Sequence, residues 1–312
     1  MTQVIDIDHP VKDRVKQITD ELEKGVAELF RSDRYRDYLS VMGRFYHYSP
    51  NNSLLIALQR PDATHVAGFQ SWKTKFDRRV NHGEKAIHII APCPFKFDRE
   101  VTKKDTFGNE YSETETIEGT KFRIAYVFDV SQTSGKPLPE IVHKLDGSFE
   151  NYDAMYQAIE KLSPVPIRFA DISSGANGYY SHADKEIVLQ QGMSQTQTIK
   201  TMIHEVAHAK LHGTDEARKL DTFTKEVQAE SVAYTVCSRY GLDTSDYSFG
   251  YIAGWSSDRE ATELKDSLQV ICDTSSEIIA GIESELQKLL PIDKQLMDIE
   301  QLISSTSNKL TL

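Results

Sequence analysis

Hydrophobic residues in the first part of the chain follow helical spacing and then strand-like runs. Between about residues 10 and 39, apolar side chains recur every three or four positions, which predicts a helix. Ser49 followed by Pro50 is typical of a helix start, and this helix is expected to reach about Gln59. Further elements expected here are a short helix over residues 68–76, strands over 86–91 and 121–130, and, in the polar stretch 98–120, a hairpin tip or an extended loop.

The second part of the chain is predicted to be mainly helical. Two Gly and two Pro lie between residues 131 and 148 and predict a linker there. The elements expected beyond it are helices over 152–162, 199–212, 221–240, 257–290 (interrupted at 273–276) and 295–302, and strands over 164–169 and 185–189. We therefore expect an α+β protein of two domains: an α+β domain over residues 1–135, a linker over 136–148, and a mainly helical domain with a small sheet and a C-terminal helical extension over 149–312.

The sequence Ile203-His204-Glu205-Val206-Ala207-His208 carries the pattern H-E-x-x-H. On a helix, His204 and His208 project from one face and can hold one Zn²⁺. Glu205 can then act as a general base on water at the metal. A motif this short also arises by chance in a surface helix with two histidines, so its assignment needs a second observation.

That second observation lies eighteen residues after His208, where Glu226 and Glu230 are one turn apart in the next predicted helix. Catalytic zinc sites commonly have three protein ligands, and two His with one Glu is one such set. We predict Glu226 as the third ligand. We predict Glu230 as an outer partner that accepts the spare N–H of a ligating His, although the two carboxylates can exchange roles.

Charge is distributed unevenly along the chain. The net charge of −11 by itself argues against a nucleic-acid partner, but residues 31–97 contain eleven Lys and Arg against five Asp and Glu. The aromatic residues interleaved with these cations are Tyr35, Tyr38, Phe45, Tyr46, Tyr48, Phe69, Trp72 and Phe76. Aromatic faces that stack on bases and cations that follow phosphates are typical of single-stranded DNA binding. The same pattern also fits a core of aromatics beneath a solvated, charged surface.

Four segments of the first part resemble the N-terminal domain of ArdC-type anti-restriction proteins. They are residues 48–59 (YSPNNSLLIALQ), 67–72 (AGFQSW), 83–87 (GEKAI) and 128–133 (FDVSQT). Proteins of that family are encoded on conjugative plasmids and integrative elements, and this domain binds single-stranded DNA. Their C-terminal half is a zincin-like metallopeptidase domain related to the ImmA/IrrE metallopeptidases. The order of motifs matches that layout over about residues 10–245, whereas the segment after Ser256 is not matched.

The resemblance implies roles for particular residues. Zn²⁺ would be held by His204, His208 and Glu226, with Glu205 as the catalytic base. The strand at 185–189 would be an edge strand that pairs with an extended peptide substrate. An oxyanion would be stabilised by Tyr179, Tyr180 or His182, and we select Tyr180. The residues expected to bind DNA are Tyr48, Asn51, Asn52, Trp72, Lys73, Lys75, Arg78, Arg79 and Lys85.

The function predicted from the sequence is that of a single-stranded-DNA-binding anti-restriction protein of a mobile element, with a zinc-dependent metalloendopeptidase-type domain. Two alternatives stay open: a DNA-binding accessory protein whose zinc is purely structural, and a regulatory peptidase that cleaves a repressor. Three widely spaced cysteines without C-x-x-C, and Asp6 and Asp8 in place of an apolar export signal, predict a cytoplasmic location. The apolar runs fall short of the roughly 20 residues of a membrane helix, so no membrane partner is expected.

Overall fold

The computed structural model describes residues 34–104, 110–138, 152–242, 252–257 and 259–289, together with 22, 25, 26, 28–30, 244, 247 and 249. The helices are α1 (Arg34–Arg44), α2 (Pro50–Gln59), α3 (Phe69–Lys75), α4 (Tyr152–Leu162), α5 (Gln195–His212), α6 (Thr222–Arg239), α7 (Ile252–Ser257) and α8 (Ala261–Leu289). The strands are β1 (Val66–Gly68), β2 (Arg78–Val80), β3 (Ile87–Lys104), β4 (Glu110–Asp129), β5 (Thr133–Gly135), β6 (Ile167–Ala170), β7 (Gly178–Ser181) and β8 (Glu186–Gln190).

A long antiparallel ribbon dominates the first part of the chain. Strands β3 and β4 pair from Ile87 opposite Val127 to Lys104 opposite Glu110, and β1 adds to the other side of β4. The polar stretch 98–120 therefore lies mostly in strands, where Lys103 bonds Glu113 and Glu115 across the ribbon at 2.9 and 2.8 Å. Residues 105–109, between the two strands, lie outside the described residues.

Side-chain amides of α2 cover the outer edge of β3. Asn52 donates to the Ile90 carbonyl and accepts from the Ile90 N–H, both at 2.8 Å. Gln59 makes the same pair of bonds with the main chain of His88, both at 2.9 Å. Each amide thus reproduces the hydrogen-bonding pattern of a neighbouring strand, which satisfies edge groups that would otherwise bond water or another chain.

The sheet of the second part has the order β6-β8-β7, with β6 parallel and β7 antiparallel to β8. The predicted strand at 185–189 is present as β8. The expectation that it is an edge strand is wrong, because β8 is paired on both sides. Strand β7, which the hydrophobic pattern did not predict, is the edge strand beside α5, and the side chain of its Tyr179 is 43% exposed.

Helix α8 runs without the interruption predicted at residues 273–276. Thr274 and Ser275 are buried along the side that carries Ile271 and Ile278, so the helix continues through these polar residues because that side packs into the core. Strand β5 pairs with β2 just before the predicted linker over 136–148, inside the stretch that begins at residue 131. Residues 139–150 and the helix predicted over 295–302 lie outside the described residues.

One hydrophobic core contains side chains from α1 and α2 as well as from α5, α6 and α8. Helix α1 lies against α6, where the Tyr35 and Ser231 hydroxyls are 2.8 Å apart and the Ser40 and Tyr234 hydroxyls are 3.1 Å apart. A Cβ atom on Gly43 would come within 2.6 Å of the Thr235 carbonyl oxygen. The two helices therefore cross at a distance that a side chain at position 43 would not permit.

The α+β class is confirmed, with a strand-rich first part followed by a mainly helical part that contains a small sheet. The division into domains at residues 135 and 149 stays a proposal, since the shared core joins helices from both sides of it. Among the helices that the structure describes, none is both long and apolar enough to cross a membrane.

Replacing Gly43 by Ala is expected to destabilise the protein by about 1–3 kcal/mol, because the added methyl group forces α1 and α6 apart. The measurement is the free energy of unfolding from urea titration followed by circular dichroism. Gly254→Ala is the control, since a Cβ there meets nothing within 4 Å. Alanine favours a helix by about 1 kcal/mol over glycine, so the control should not lose stability. Equal stability of the two variants would contradict the close crossing.

Candidate metal centre

Helix α5 presents the H-E-x-x-H residues to one side of a buried stripe. Ser194 caps its first turn by accepting from the Gln197 N–H at 3.2 Å. Ile199, Met202, Ile203 and Val206 are all buried, as their helical spacing predicts. The helix is thereby anchored in the core, and His204 and His208 stand on its partly exposed side with 25% and 14% of their side chains exposed.

Helix α6 brings Glu226 to the same place. Asp221 caps this helix by accepting from the Thr224 N–H at 2.9 Å, and the Arg259 guanidinium bonds the other Asp221 oxygen at 3.0 Å. Glu226 lies just over one turn beyond the cap, and 49% of its side chain is exposed. The cap therefore fixes the start of the helix close to the position that carries the carboxylate.

Three donor atoms converge between α5 and α6. The Nε2 atoms of His204 and His208 are 3.0 Å apart, and the Glu226 Oε2 atom lies 3.6 Å from the first and 3.5 Å from the second. Ligands on a tetrahedral zinc ion with bonds of about 2.0–2.1 Å are separated by about 3.3 Å. The set fits such an ion, and these are the three residues that could hold a metal together in the described part of the chain.

The electrostatics of the cluster favour a cation. A hydrogen bond from His204, together with the nearby His208 imidazole, holds the pKa of Glu226 well below its usual value, so the carboxylate is charged. Burial lowers the pKa of His204, but the carboxylates of Glu226, Glu205 and Glu230 raise it more. Imidazole lone pairs that face one another repel unless a proton or a metal ion lies between them. The arrangement therefore favours the binding of a cation.

Glu205 is buried beside this cluster. Burial raises the pKa of its carboxyl group, while the two imidazoles and the Tyr180 main-chain N–H, which donates a hydrogen bond to it, act in the opposite direction. The donor belongs to β7, so the edge strand and the carboxylate are in direct contact. Their approach depends on Gly178, where a Cβ atom would lie 2.7 Å from the Thr201 side chain of α5.

Two cavities flank Glu205 and share Gly178 and His204 in their walls. The larger, of about 490 Å³, is lined by the three candidate ligands and by Tyr179, Tyr180, His182, His212 and Lys225. The smaller, of about 300 Å³, is lined by Asn177, Gln197, Lys200, Thr201, Glu230 and Tyr247. The structure thus places Tyr180 on the wall of the cleft together with Tyr179 and His182, and their rank as oxyanion donors stays a prediction.

Two residues near the centre were missed from the sequence. His212 lies one turn beyond His208, and their Nδ1 atoms are 3.0 Å apart. Burial lowers the pKa of His212 to about 4, so its ring is neutral at pH 7. The second is Lys200, whose buried ammonium group lies 5.1 Å from the centre of the Tyr247 ring. The four-residue spacing of the histidines at 204, 208 and 212 indicated that His212 lies on the same face of the helix. No sequence pattern indicated the position of Lys200.

Some residues predicted to bind DNA are part of the core. Trp72 is fully buried, and its indole N–H donates to the Phe128 carbonyl at 2.9 Å. Tyr48 is also buried, edge-on to Phe45. Stacking of a base on Trp72 would require its side chain to leave the core, which favours the alternative interpretation of these aromatics as packing residues.

Two polar residues of the same set are held by main-chain groups. The amide of Asn52 covers the edge of β3, and Arg78 bonds β5 by donating to the Thr133 carbonyl at 2.9 Å and hydroxyl at 2.7 Å. The exposed members of the set are Asn51, Lys73, Lys75, Arg79 and Lys85. Phe69, four residues before Lys73 on α3, has 54% of its side chain exposed.

Comparison with known proteins finds two families that match successive, overlapping parts of the chain. Residues 9–130 match the N-terminal domain of anti-restriction factor ArdC. Residues 119–234 match a family described as "Putative metallopeptidase family (DUF6782)". The expected combination of an ArdC-type N-terminal domain with a metallopeptidase-type domain is thereby confirmed.

The chain is 30% identical to an uncharacterized protein of Bacillus anthracis, over 89% of this chain and 53% of that relative. It therefore spans about half the length of the relative. Two crystal structures of the antirestriction ArdC protein from plasmid R388 are also similar, at 19% identity. The metal-free one covers 77% of this chain and 84% of that protein with a TM-score of 0.44, and the Mn(II)-bound one covers 80% and 96% with a TM-score of 0.37.

Asp221→Ala is expected to lower stability by about 1 kcal/mol at pH 6, because the first turn of α6 loses its cap. The bonds from Thr224 and the Arg259 charge lower the pKa of Asp221 from 3.8 to about 2. A lowered carboxyl pKa stabilises the fold above the unfolded value and loses that effect as the pH falls. The difference between wild type and variant should therefore shrink below about pH 4.

The measurement is urea unfolding of both proteins between pH 6 and pH 3. Asp221→Asn is the control, since its amide oxygen can still cap the helix while its side chain does not titrate. A wild-type advantage over Asp221→Ala that stays constant across this range would show that the charged carboxylate does not contribute to the cap.

Proposed function

We propose that this chain, which joins an ArdC-type N-terminal domain to a metallopeptidase-type domain, is a zinc-dependent endopeptidase that also binds single-stranded DNA and acts in anti-restriction for a mobile element. The observation that carries the peptidase part is the convergence of three donor atoms from α5 and α6 beside the buried Glu205. His204, His208 and Glu226 would hold the ion. When bound, Zn²⁺ supplies Lewis-acid chemistry, which polarises a carbonyl group and acidifies water.

Glu205 performs the proton transfers of the proposed reaction. Its carboxylate takes one proton from the attacking water, whose oxygen forms a bond to the peptide carbonyl carbon. The carbon–nitrogen bond then breaks, and Glu205 delivers the proton to the leaving amine. The raised pKa of Glu205 suits a group that must hold a proton between these steps.

Groups of β7 contribute to binding in this proposal. The strand lies at the edge of its sheet, so an extended peptide can pair with its main chain while its scissile bond lies over the larger cavity. The Tyr180 hydroxyl donates to the oxygen that becomes negatively charged. An open cavity beside three protein ligands favours this function over a purely structural zinc site, since structural sites are usually closed by four protein ligands.

Single-stranded DNA would bind along α3 and β2. The exposed Phe69 and Lys73 are four residues apart on α3, so they share one face of the helix. Arg79 of β2 and Lys85 follow along the chain and are exposed as well. A base would stack on Phe69 while the three cations contact phosphates, and the acidic remainder of the protein stays outside this surface.

Glu205→Gln is expected to keep one equivalent of bound zinc and to lose at least about 100-fold in peptide cleavage, because the amide cannot accept the proton of water. Glu226→Gln should instead lower zinc occupancy. Metal content is measured by elemental analysis after dialysis, and cleavage with a quenched-fluorescent peptide library and with candidate repressors. The control for loss of one charge is Glu216→Gln, because Glu216 is exposed and lies between α5 and α6. Wild-type cleavage by Glu205→Gln would contradict the assignment.

Replacing both Lys73 and Arg79 by Ala is expected to weaken binding of a single-stranded oligonucleotide and to reduce the salt slope by about 1.4, because two phosphate contacts are lost. Phe69→Ala should weaken binding by about 1–3 kcal/mol and leave the slope unchanged. Fluorescence anisotropy over a series of salt concentrations measures both effects.

The matched control replaces the exposed Lys219 and Lys288 of the second part, which removes the same charge from elsewhere. If the control reduces the slope as much as the Lys73 and Arg79 variant does, DNA follows the charge of the whole protein and the proposed surface is wrong.

A further inference from the structure

A chain of hydrogen bonds leads from the candidate metal centre into the core. The Nδ1 atom of His208 is 3.0 Å from the Nδ1 atom of His212, and the Nε2 atom of His212 is 3.1 Å from the Oε1 atom of Gln228. Gln228 in turn donates from its Nε2 atom to the Ser267 hydroxyl at 3.2 Å. His212, Gln228 and Ser267 are buried, so these contacts are shielded from water.

The direction of these bonds follows from their ends. Because the Gln228 amide nitrogen donates to Ser267, its oxygen accepts, and the Nε2 atom of His212 must carry a proton. In a neutral imidazole the other nitrogen is then an acceptor, so the Nδ1 atom of His212 accepts from the Nδ1–H of His208. This leaves the Nε2 atom of His208 without a proton and with its lone pair directed at Glu226 Oε2 and His204 Nε2, 3.5 and 3.0 Å away.

We propose that His212 is a positioning residue that holds the His208 ring in the tautomer and orientation needed to bind a metal through Nε2. The proposal rests on the proposed metal site. In the reverse direction of the chain, His208 would carry its proton on Nε2 and could not coordinate an ion through that atom. Outer partners that fix the tautomer of a ligating histidine commonly change metal affinity by about 10–100-fold.

This chain of hydrogen bonds connects three helices to the candidate metal ligand His208. His208 and His212 lie on α5, Gln228 on α6 and Ser267 on α8. Glu230, which the sequence suggested as an outer partner of a ligating histidine, lines the smaller cavity together with His204 and Glu205, and that role stays a prediction. The partner of the His208 Nδ1 atom is the imidazole of His212, which lies one helical turn further along the same helix.

The experiment compares His212→Asn with His212→Leu, two side chains of nearly equal size. The oxygen of Asn can accept from the His208 Nδ1–H, whereas Leu offers no acceptor. The zinc affinity of the full chain, measured by competition with a chelator of known affinity, should fall about 10–100-fold in His212→Leu and stay within about threefold in His212→Asn.

A second readout separates positioning from a packing role. Nitrogen-15 NMR of metal-free wild type should show the His208 proton on Nδ1, and His212→Leu should show a mixture of both tautomers. Gln228→Met removes the acceptor for His212 and leaves the His212 ring in place, so it should also weaken zinc binding. This variant provides the test if His212→Leu does not fold. Ser231→Ala is the control, since it removes a buried hydrogen bond from α6 to α1 and should leave zinc affinity unchanged.

The outcomes distinguish the two proposals. Wild type that binds no stoichiometric zinc overturns the metal site and the role of His212 together. Wild type that binds zinc, with His212→Leu binding equally well or with the Asn and Leu variants weakened equally, overturns the role of His212 alone. A proton on Nε2 of His208 in the metal-free wild type does the same.

Discussion

The packing of α5 against α6 is the constraint on which the functional interpretation depends. It brings two imidazole nitrogens and a carboxylate oxygen to within 3.0–3.6 Å of one another, although their residues are separated by up to 22 positions in the chain. Three such electron-rich atoms remain together only if a positive charge lies among them. The buried stripe of α5, the Asp221 cap of α6 and the chain of bonds through His212 all act to hold these two helices and their side chains in register. The cleft beside Glu205 follows from the same packing, because β7 approaches α5 closely at Gly178.

Helix α6 is also supported by the first part of the protein. Helix α1 crosses α6 at Gly43, and its Tyr35 hydroxyl meets Ser231 in the core. The α6 helix is thus held between α1 on one side and α5 on another, so the region that matches ArdC is packed into the same core as the helices that carry the candidate metal ligands. The two family matches even overlap at residues 119–130, which are the second half of β4 and the residue that follows it. A polypeptide cut between residues 135 and 149 would expose apolar surface on both pieces.

Local chemistry explains what could be predicted from the sequence. The helices that carry His204, His208 and Glu226 follow from spacing, caps and apolar periodicity, all of which act within a few residues. The burial of Trp72 could not be predicted in this way, because interleaved aromatics and cations look the same whether the rings face bases or the core. Strand β7 depends on its pairing with β8 and on its contact with α5, neither of which its own four residues reveal. The uninterrupted α8 depends on packing against α4, which lies about 100 residues earlier in the chain. The role of the Asn52 amide at the edge of β3 likewise becomes visible only when the strand is in place.

X-ray absorption spectroscopy of the full chain with one equivalent of Zn²⁺ tests the central claim most directly. The claim is that α5 and α6 jointly hold one ion through His204, His208 and Glu226. The predicted spectrum has a coordination sphere of two imidazole nitrogens, with carboxylate and water oxygens and no sulfur, and replacement of Glu226 should alter the oxygen contribution while both imidazoles remain. A sphere with a single imidazole, with three imidazoles or with sulfur, or an oxygen shell unaffected by loss of Glu226, would contradict the account.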